Sequence, residues 1–280
     1  MIKIIADTTS CIPPHQAAEL GIPYLPQIII FGEESFRDDS EITVPQFMEK
    51  LQSSSIMPKT SAPPPEMYHP IYEELASQGH TMIVLAPSAE VSGTLRGATI
   101  AAQDFPNADI RILDTQIVAA GLGSLVLEAW KMAQAGRSAD EIVAAVQDLS
   151  KRHRVYFVVD TLDYLFKNGR IGAAKALFGS ILQVKPILTL TEGKIAPFES
   201  QRTQRKARAR LRELVLEQCP PGPGSMLKIQ HGSALEEARE MAEEFKQKLG
   251  LAEVPIFDLP PAILTHAGPG VISASFFVPE

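Results

Sequence analysis

Short apolar runs alternate with amphipathic stretches through the first half of the chain, at residues 2–6, 13–20, 24–31, 44–51, 64–78, 81–86, 92–104, 110–114 and 116–134, with a further amphipathic stretch at 139–151. Continuous apolar runs of about four to eight residues read as strands buried on both faces, and the longer stretches read as helices that cover them. Strand and helix taking turns in this way predicts a mostly parallel sheet between helical layers, a three-layer α/β domain. One segment breaks the rhythm: Ile28-Ile29-Ile30-Phe31, then Gly32-Glu33-Glu34, then Ser35-Phe36-Arg37 reads as an inserted hairpin.

Arg152-His153-Arg154, ahead of the apolar run 155–159, marks a domain crossing, so the expected division is 1–153 and 154–280. The second part carries predicted strands at 155–159, 184–190, 194–197, 226–230, 254–258, 262–265 and 271–278, and helices near 173–182, 203–217 and 234–249. Fewer long helices per strand predict a two-layer α+β domain with a mixed sheet. The Pro220-Pro221-Gly222-Pro223-Gly224 tract ends the preceding helix in a surface turn.

Composition narrows the chemistry. With 26 Lys and Arg against 33 Asp and Glu, the formal net charge of −7 disfavours general affinity for nucleic acid or for an anionic membrane surface. Cys11 and Cys219 have no CxxC or Cys/His spacing, so no metal is expected and both read as reduced thiols. The opening Met1-Ile2-Lys3-Ile4-Ile5-Ala6-Asp7 meets an acid too soon for a secretory leader, and no later stretch is long and apolar enough for a membrane span. The expectation is a cytoplasmic protein.

Polar clusters punctuate the apolar runs where strands should meet loops or helices. Thr60-Ser61-Ala62-Pro63 precedes a helix, and Ser61 has the composition of an N-cap; Ser92-Gly93-Thr94 admits the same capping reading. The latter also follows the run 81–86, and a loop at the carboxyl end of a parallel strand is where open α/β sheets bind ligands. Asp7-Thr8-Thr9 and Asp114-Thr115 follow their strands in the same way; Asp7 and Asp114 have the chemistry of metal ligands, but caps or supporting acceptors are the favoured reading. Thr265-His266-Ala267-Gly268-Pro269-Gly270 sets a histidine beside glycines that let backbone approach a ligand, and equally fits a structural histidine. Lys167-Asn168-Gly169-Arg170 is a basic loop suited to phosphate, with Arg170 able to make bidentate contacts. Arg202, Arg205, Lys206, Arg208, Arg210 and Arg212 make a local basic face, either a solvated helix surface or a dock for an anionic partner, and Arg202 stands just before Thr203, a predicted helix cap.

The sequence lacks a G-x-S-x-G elbow, a G-x-x-x-x-G-K-[ST] phosphate loop, a G-x-G-x-x-G turn and an H-E-x-x-H helix. Three classes remain open on the residues alone: a binding protein for an anionic head group with an apolar body, an independent enzyme acting on a small hydroxylated or phosphorylated substrate, and a nucleic-acid regulator using the 202–212 cations.

Taken in order, Asp7-Thr8-Thr9, Thr60-Ser61-x-Pro63, Ser92-Gly93-Thr94, Asp114-Thr115, Asn168-Gly169-Arg170-Ile171, Lys185-Pro186-Ile187-Leu188, Arg202-Thr203 and Thr265-His266-x-Gly268-Pro269-Gly270 resemble the DegV family over essentially the whole chain. In this chain Ala62 and Asn168 stand where the resembled pattern often carries an amide and a glycine. The resemblance implies a two-domain fold and a long-chain fatty acid as ligand in a buried apolar tunnel. It also implies service to phospholipid synthesis as the non-catalytic acyl-presenting subunit of a bacterial fatty acid kinase, whose ATP-using subunit is a separate protein. No cofactor besides the bound acid is implied, no nucleic acid is a partner, and transient contact with a membrane fits the ligand. By the same resemblance Thr60, Ser61, Ser92, Gly93, Thr94, His266 and Gly268 surround the carboxylate, while Arg170 and Arg202 serve phosphoryl transfer or docking of the kinase subunit.

Overall fold

The structure, a computed structural model, describes residues 1–178 and 184–279. Contacts divide the chain into two compact units, Met1–Lys151 with Pro260–Ala262, and Arg152–Leu259 with Ile263–Glu280.

The first unit runs β1 (Ile2–Asp7), α1 (Pro14–Glu19), β2 (Tyr24–Leu25), β3 (Ile28–Phe31), β4 (Glu34–Arg37), α2 (Val44–Ser53), β5 (Lys59–Ser61), α3 (Pro65–Ser77), β6 (Thr81–Ala86), α4 (Thr94–Ala102), β7 (Ile110–Asp114), α5 (Ala120–Gln134) and α6 (Ala139–Arg152). Its main sheet is parallel throughout, in the order β2-β1-β6-β7. Side chains alternate across it: Ile5, Met82 and Val84 face Tyr68 and Tyr72 of α3 and Ala98 and Ala101 of α4. Fully burying aliphatic side chains such as these contributes about 1.5–3 kcal/mol each. α5 packs against β1 and β6, which completes the expected three layers.

The hairpin read from the sequence is β3–β4, with Ile28 opposite Arg37 and Phe31 opposite Glu34. It does not stand alone, because β5 adds antiparallel to β3, pairing Ile29 with Thr60 and Ile28 with Ser61. The expected cap at Ser61 is therefore corrected. Ser61 is a strand residue whose hydroxyl donates to the Ala62 carbonyl, and α3 starts from Pro64 with no side-chain cap. Consecutive prolines preset the first-turn φ there and leave fewer amides to satisfy.

The second unit runs β8 (His153–Val158), α7 (Asp163–Lys167), β9 (Lys185–Thr191), β10 (Lys194–Gln201), α8 (Gln204–Gln218), β11 (Lys228–His231), α9 (Leu235–Leu249), β12 (Ile256–Asp258), α10 (Pro261–Ala267) from its third residue on, and β13 (Ile272–Phe277). Its sheet is mixed, in the order β10-β9-β8-β13-β11-β12, with only the β11–β12 pair parallel. One face carries Tyr156, Val158, Ile229, Ile272, Ala274 and Phe276 and is covered by Leu211, Leu214 and Val215 of α8 and by Met241 and Phe245 of α9.

Two further expectations change. The predicted strand 262–265 is the helix α10, because Pro261 occupies its first position and the apolar run is too short for its period to separate helix from strand. The helix expected near 173–182 is a short 3₁₀ helix over Gly172–Leu177, and residues 179–182 of that expectation lie outside the described residues.

Candidate functional site

In the first unit, β1 and β6 deliver their carboxyl ends to one edge of the parallel sheet, and the polar clusters collect there. Asp7 ends β1 and caps the 3₁₀ turn Thr8–Ser10, its Oδ1 accepting from the Thr9 amide at 3.0 Å and from the Thr9 hydroxyl. Its Oδ2 accepts from the Gln27 side-chain amide at 2.7 Å and from the Thr94 hydroxyl at 2.7 Å. Thr94 opens α4, and its Oγ1 lies 3.0 Å from the hydroxyl of half-buried Ser92, which also accepts from the Thr94 amide at 3.3 Å. Gly93, not Ser92, is the N-cap of α4 and makes no side-chain cap. A Cβ on Gly93 would lie 3.3 Å from that of Ala62, so the loop after β5 runs beside the Ser92–Thr94 turn. Thr60 is half-buried and Ser61 exposed in that adjoining strand.

The sequence pointed to Asp7, Ser92 and Thr94 but not to Gln27 and Asp38. Gln27 sits where the chain leaves β2 for β3. Its backbone amide donates to Asp38 Oδ1 at 2.8 Å while its side-chain amide holds Asp7, so one residue bridges two buried carboxylates. Thr8 also donates to Asp38 Oδ1, at 2.7 Å, and Asp38 Oδ2 is buried with no hydrogen-bonding partner among the described residues. Burial pushes Asp38 up to about 7, partly offset by these donors, and burial likewise raises Asp7 above the usual carboxylate range. Nothing in the pattern of hydrophobic positions signals such a pair, because its members are drawn together by the sheet from separate loops.

The second unit assembles the other group. Asn168 donates from its side-chain amide to the Thr265 carbonyl at 2.9 Å, which stitches the basic loop to α10. Arg170 folds back on that loop, with Nη1 2.8 Å from the Asn168 carbonyl. His266 lies in the last turn of α10, and its imidazole is pushed down to about 3, chiefly by burial and then by the charge of Arg170. It is therefore neutral at ordinary pH and can donate from one ring nitrogen while accepting at the other.

The glycine turn that follows is shaped by close approach. Gly268, at φ +75°, lies against the Tyr164 ring, and Gly270, at φ +77°, lies against the Asp160 carboxylate; a Cβ at either would overlap those groups. Arg208 on α8 donates through Nη2 to the Gly270 carbonyl at 2.9 Å and to Asp160 at 2.9 Å, so α8 is tied to this turn.

The basic face of α8 is only partly free. Arg208 pairs with Glu237 and Asp160, Arg210 with Glu199, Glu213 and Glu217, and Arg212 with Glu237, Glu240 and Glu244. Arg202, Arg205 and Lys206 are exposed and have no carboxylate partner among the described residues. Thr203 caps the helix as expected, accepting from the Lys206 amide at 3.2 Å. An open cleft of about 460 Å³ beside this face is walled by Gln204, Arg205, Arg208, Ala209, Arg212 and Glu237. Charged walls suit a polar partner and not an acyl chain. Among the described residues no group of three or more His, Cys, Asp or Glu is arranged to hold a metal ion, and no helix is long and apolar enough to cross a membrane.

The predicted site residues thus fall into two groups, Thr60, Ser61, Ser92, Gly93 and Thr94 in the first unit and Arg170, His266 and Gly268 in the second, with Arg202 exposed at the entry to α8. In the first unit hydroxyls lie beside a buried carboxylate, and in the second a neutral imidazole lies beside an arginine. The family model of DegV matches residues 1–279, and the chain belongs to the DegV family. It is 36% identical over 273 residues to a DegV domain-containing protein of Streptomyces coelicolor, covering 97% of this chain and 96% of that one. Its fold superposes on the DegV protein of Bacillus subtilis, described as a fatty acid binding protein, with a TM-score of 0.89 at 30% identity over 99% of each chain. A DegV family protein of Thermus thermophilus, described by its fatty acid binding, superposes with a TM-score of 0.90 at 28% identity, again over 99% of each chain.

Proposed function

We propose that this protein binds a long-chain fatty acid and presents its carboxylate to a separate ATP-using subunit, which converts it to an acyl phosphate. The observation that carries the binding half is the match along 99% of the chain to the fatty acid binding DegV protein of Bacillus subtilis. The site chemistry supports it. Ser92, Thr60, Ser61 and neutral His266 are donors suited to a carboxylate, and none is a nucleophile backed by a base in the manner of a hydrolase.

Energetics divide the labour between tail and head. Burying about ten methylenes from water at ~0.8 kcal/mol each contributes roughly 8 kcal/mol, whereas one hydrogen bond to a charged carboxylate contributes about 1.5–3 kcal/mol. The tail sets affinity from water and the head sets orientation. Against a lipid bilayer the tail contribution largely cancels, so the head contacts decide whether transient contact with a membrane ends in extraction.

In the transfer step a carboxylate oxygen attacks the terminal phosphorus of ATP, the O–P bond forms, the bond to the leaving diphosphate breaks, and ADP departs. Arg170 and Arg202 are the cations assigned to the charge that develops on the transferring group. Arg205 and Lys206, unneutralised at the start of α8, are the docking cations. With Arg208, Arg210 and Arg212 committed to carboxylates, too few free charges remain on this face for the steep salt dependence of duplex binding. The test is reconstitution: delipidated protein loaded with oleate, ATP and the kinase subunit should yield acyl phosphate trapped as a hydroxamate, and no hydroxamate with a kinase subunit active on another DegV protein would overturn the presenting role.

A further inference from the structure

The hydroxyls at the carboxylate site have a fixed order of donation, and that order leads back to a buried acid. Thr94 has one hydroxyl hydrogen. Its Oγ1 lies 2.7 Å from Asp7 Oδ2, and an ionised Asp7 accepts that hydrogen. Thr94 Oγ1 is then an acceptor, taking the Gln27 side-chain amide at 3.0 Å and the Ser92 hydroxyl at 3.0 Å. The Ser92 hydrogen then fills the 3.0 Å gap by pointing inward. Turning it out to an arriving carboxylate leaves Ser92 and Thr94 oxygens facing each other lone pair to lone pair.

One proton removes the conflict. If Asp7 Oδ2 carries it, Asp7 donates to Thr94 Oγ1, Thr94 donates to Ser92 Oγ, and Ser92 donates outward. Both O···O gaps are retained and only the hydrogens change sides. Gln27 still donates to Asp7 Oδ2, which keeps a lone pair.

We propose that Asp7 is a positioning residue that shares one proton with the carboxyl group of the bound ligand through the hydroxyls of Thr94 and Ser92. This inference rests on the fatty-acid reading of the Ser92 site. When an ionised fatty acid binds from water, the proton comes from the buffer and forms the O–H bond on Asp7 Oδ2. When a protonated acid is drawn from a bilayer, it brings the proton itself. Either way the ligand ends as a carboxylate, the form with a free lone pair for attack on phosphorus, and Asp7 ends neutral.

The surroundings of Asp7 fit a group that changes charge rather than one held ionised by a cation. Asp7 is 1% exposed. The titratable groups that face it are Asp38 beyond Gln27, Tyr24 of β2 and Tyr68 of α3, all of which lose stability as anions when Asp7 is charged. Cys11, just past the 3₁₀ turn, adds to the field at Tyr24. The neighbouring strand β6 has no titratable side chain, and the first two turns of α5, packed on β1, have none either. Burial raises the affinity of Asp7 for a proton, the direction that uptake requires.

The experiment is calorimetric titration of delipidated full-length protein with oleate, kept below its aggregation concentration, in buffers of different ionisation enthalpy between pH 6.5 and 8. Wild type should take up about one proton per oleate, and its affinity should fall roughly tenfold per pH unit where uptake is complete. Oleyl alcohol, which donates its own hydroxyl hydrogen to Ser92, should bind without proton uptake. Ser92→Ala interrupts the wire at its exposed end and should bind oleate with uptake near zero. Asp7→Asn presents an amide donor to Thr94 and should bind oleate without uptake and with an affinity flat in pH. A purely structural role for Asp7 would change stability without changing the proton count. Oleate binding by wild type with no proton uptake, or the same uptake in Ser92→Ala as in wild type, would overturn the inference while leaving fatty-acid binding intact. Failure of wild type to bind oleate at all would remove the reading on which it rests and overturn both.

Discussion

Thr94 donates to Asp7 at 2.7 Å across 87 positions of sequence, tying the end of the first strand to the first turn of α4. That one bond fixes which way the hydroxyls of the candidate site point. It also satisfies a carboxylate that pairs with no cation among the described residues, so its removal is costly. Thr94→Val keeps the shape of the side chain and takes away the donor. It should destabilise the protein by about 1.5–3 kcal/mol, read as a shift in the urea midpoint at unchanged slope. A loss under about 0.5 kcal/mol would show that Asp7 is satisfied without it.

Gly268 and Gly169 separate conformational strain from collision. Both have positive φ, +75° and +71°, but a Cβ on Gly169 meets nothing within 4 Å while one on Gly268 runs into the Tyr164 ring. Gly169→Ala should therefore cost about 1 kcal/mol from backbone strain alone. Gly268→Ala should cost at least ~2 kcal/mol more and displace the ring, visible as a change in tyrosine near-ultraviolet dichroism. Equal costs at the two positions would contradict the packing described for the turn.

The buried Asp38 gives the protein a definite response to pH. Its folded value, about 7, lies above the ordinary 3.8, so the folded state holds the proton more tightly than the unfolded chain. Its contribution is complete below pH ~4 and is lost as pH rises through about 7, by up to ~1.4 kcal/mol per pH unit. His266, pushed down to about 3, acts in the opposite sense: its contribution is complete above about 6.5 and is lost as pH falls toward 3. The stability of Asp38→Asn relative to wild type should therefore rise from pH 4 to pH 8, and a difference that stays level over that range would contradict the burial of an uncompensated carboxylate.

Much of this was legible from pattern alone, and the exceptions have physical causes. The parallel strands at β1, β6 and β7, the hairpin at residues 28–37 and the Thr203 cap follow from local signals: apolar runs, a glycine turn and a hydroxyl before a charged helix. Residues 262–265 misled because three apolar residues carry no period, and Pro261 acts as a helix start only once the next turn is known. Ser61 misled because strand β5 forms through its pairing with Ile28, Ile29 and Ile30 of β3, contacts across sequence that no local rule reports. The same limit hid Gln27 and Asp38. Half of the 202–212 cations looked free because, apart from Glu213 and Glu217 on α8 itself, their carboxylate partners lie on β10, on α9 and beyond β8, out of sight of a local reading.

The two arginines of the proposed transfer step should separate holding from chemistry. Arg170→Ala and Arg202→Ala should keep bound fatty acid nearly fully, because neither is assigned to the tail. With ATP and the kinase subunit they should lose acyl-phosphate formation by at least ~10²-fold, since charge developing on the phosphoryl group needs cations already in place. Wild-type rates in both variants would show that these residues do not serve the transfer.

Whether this chain carries a fatty acid is read most simply by mass spectrometry of the organic extract from purified, denatured protein. A carrier yields a long-chain fatty acid in near-equimolar amount with the protein. No acyl chain in the extract, together with no uptake of added oleate by the delipidated protein, would rule that function out.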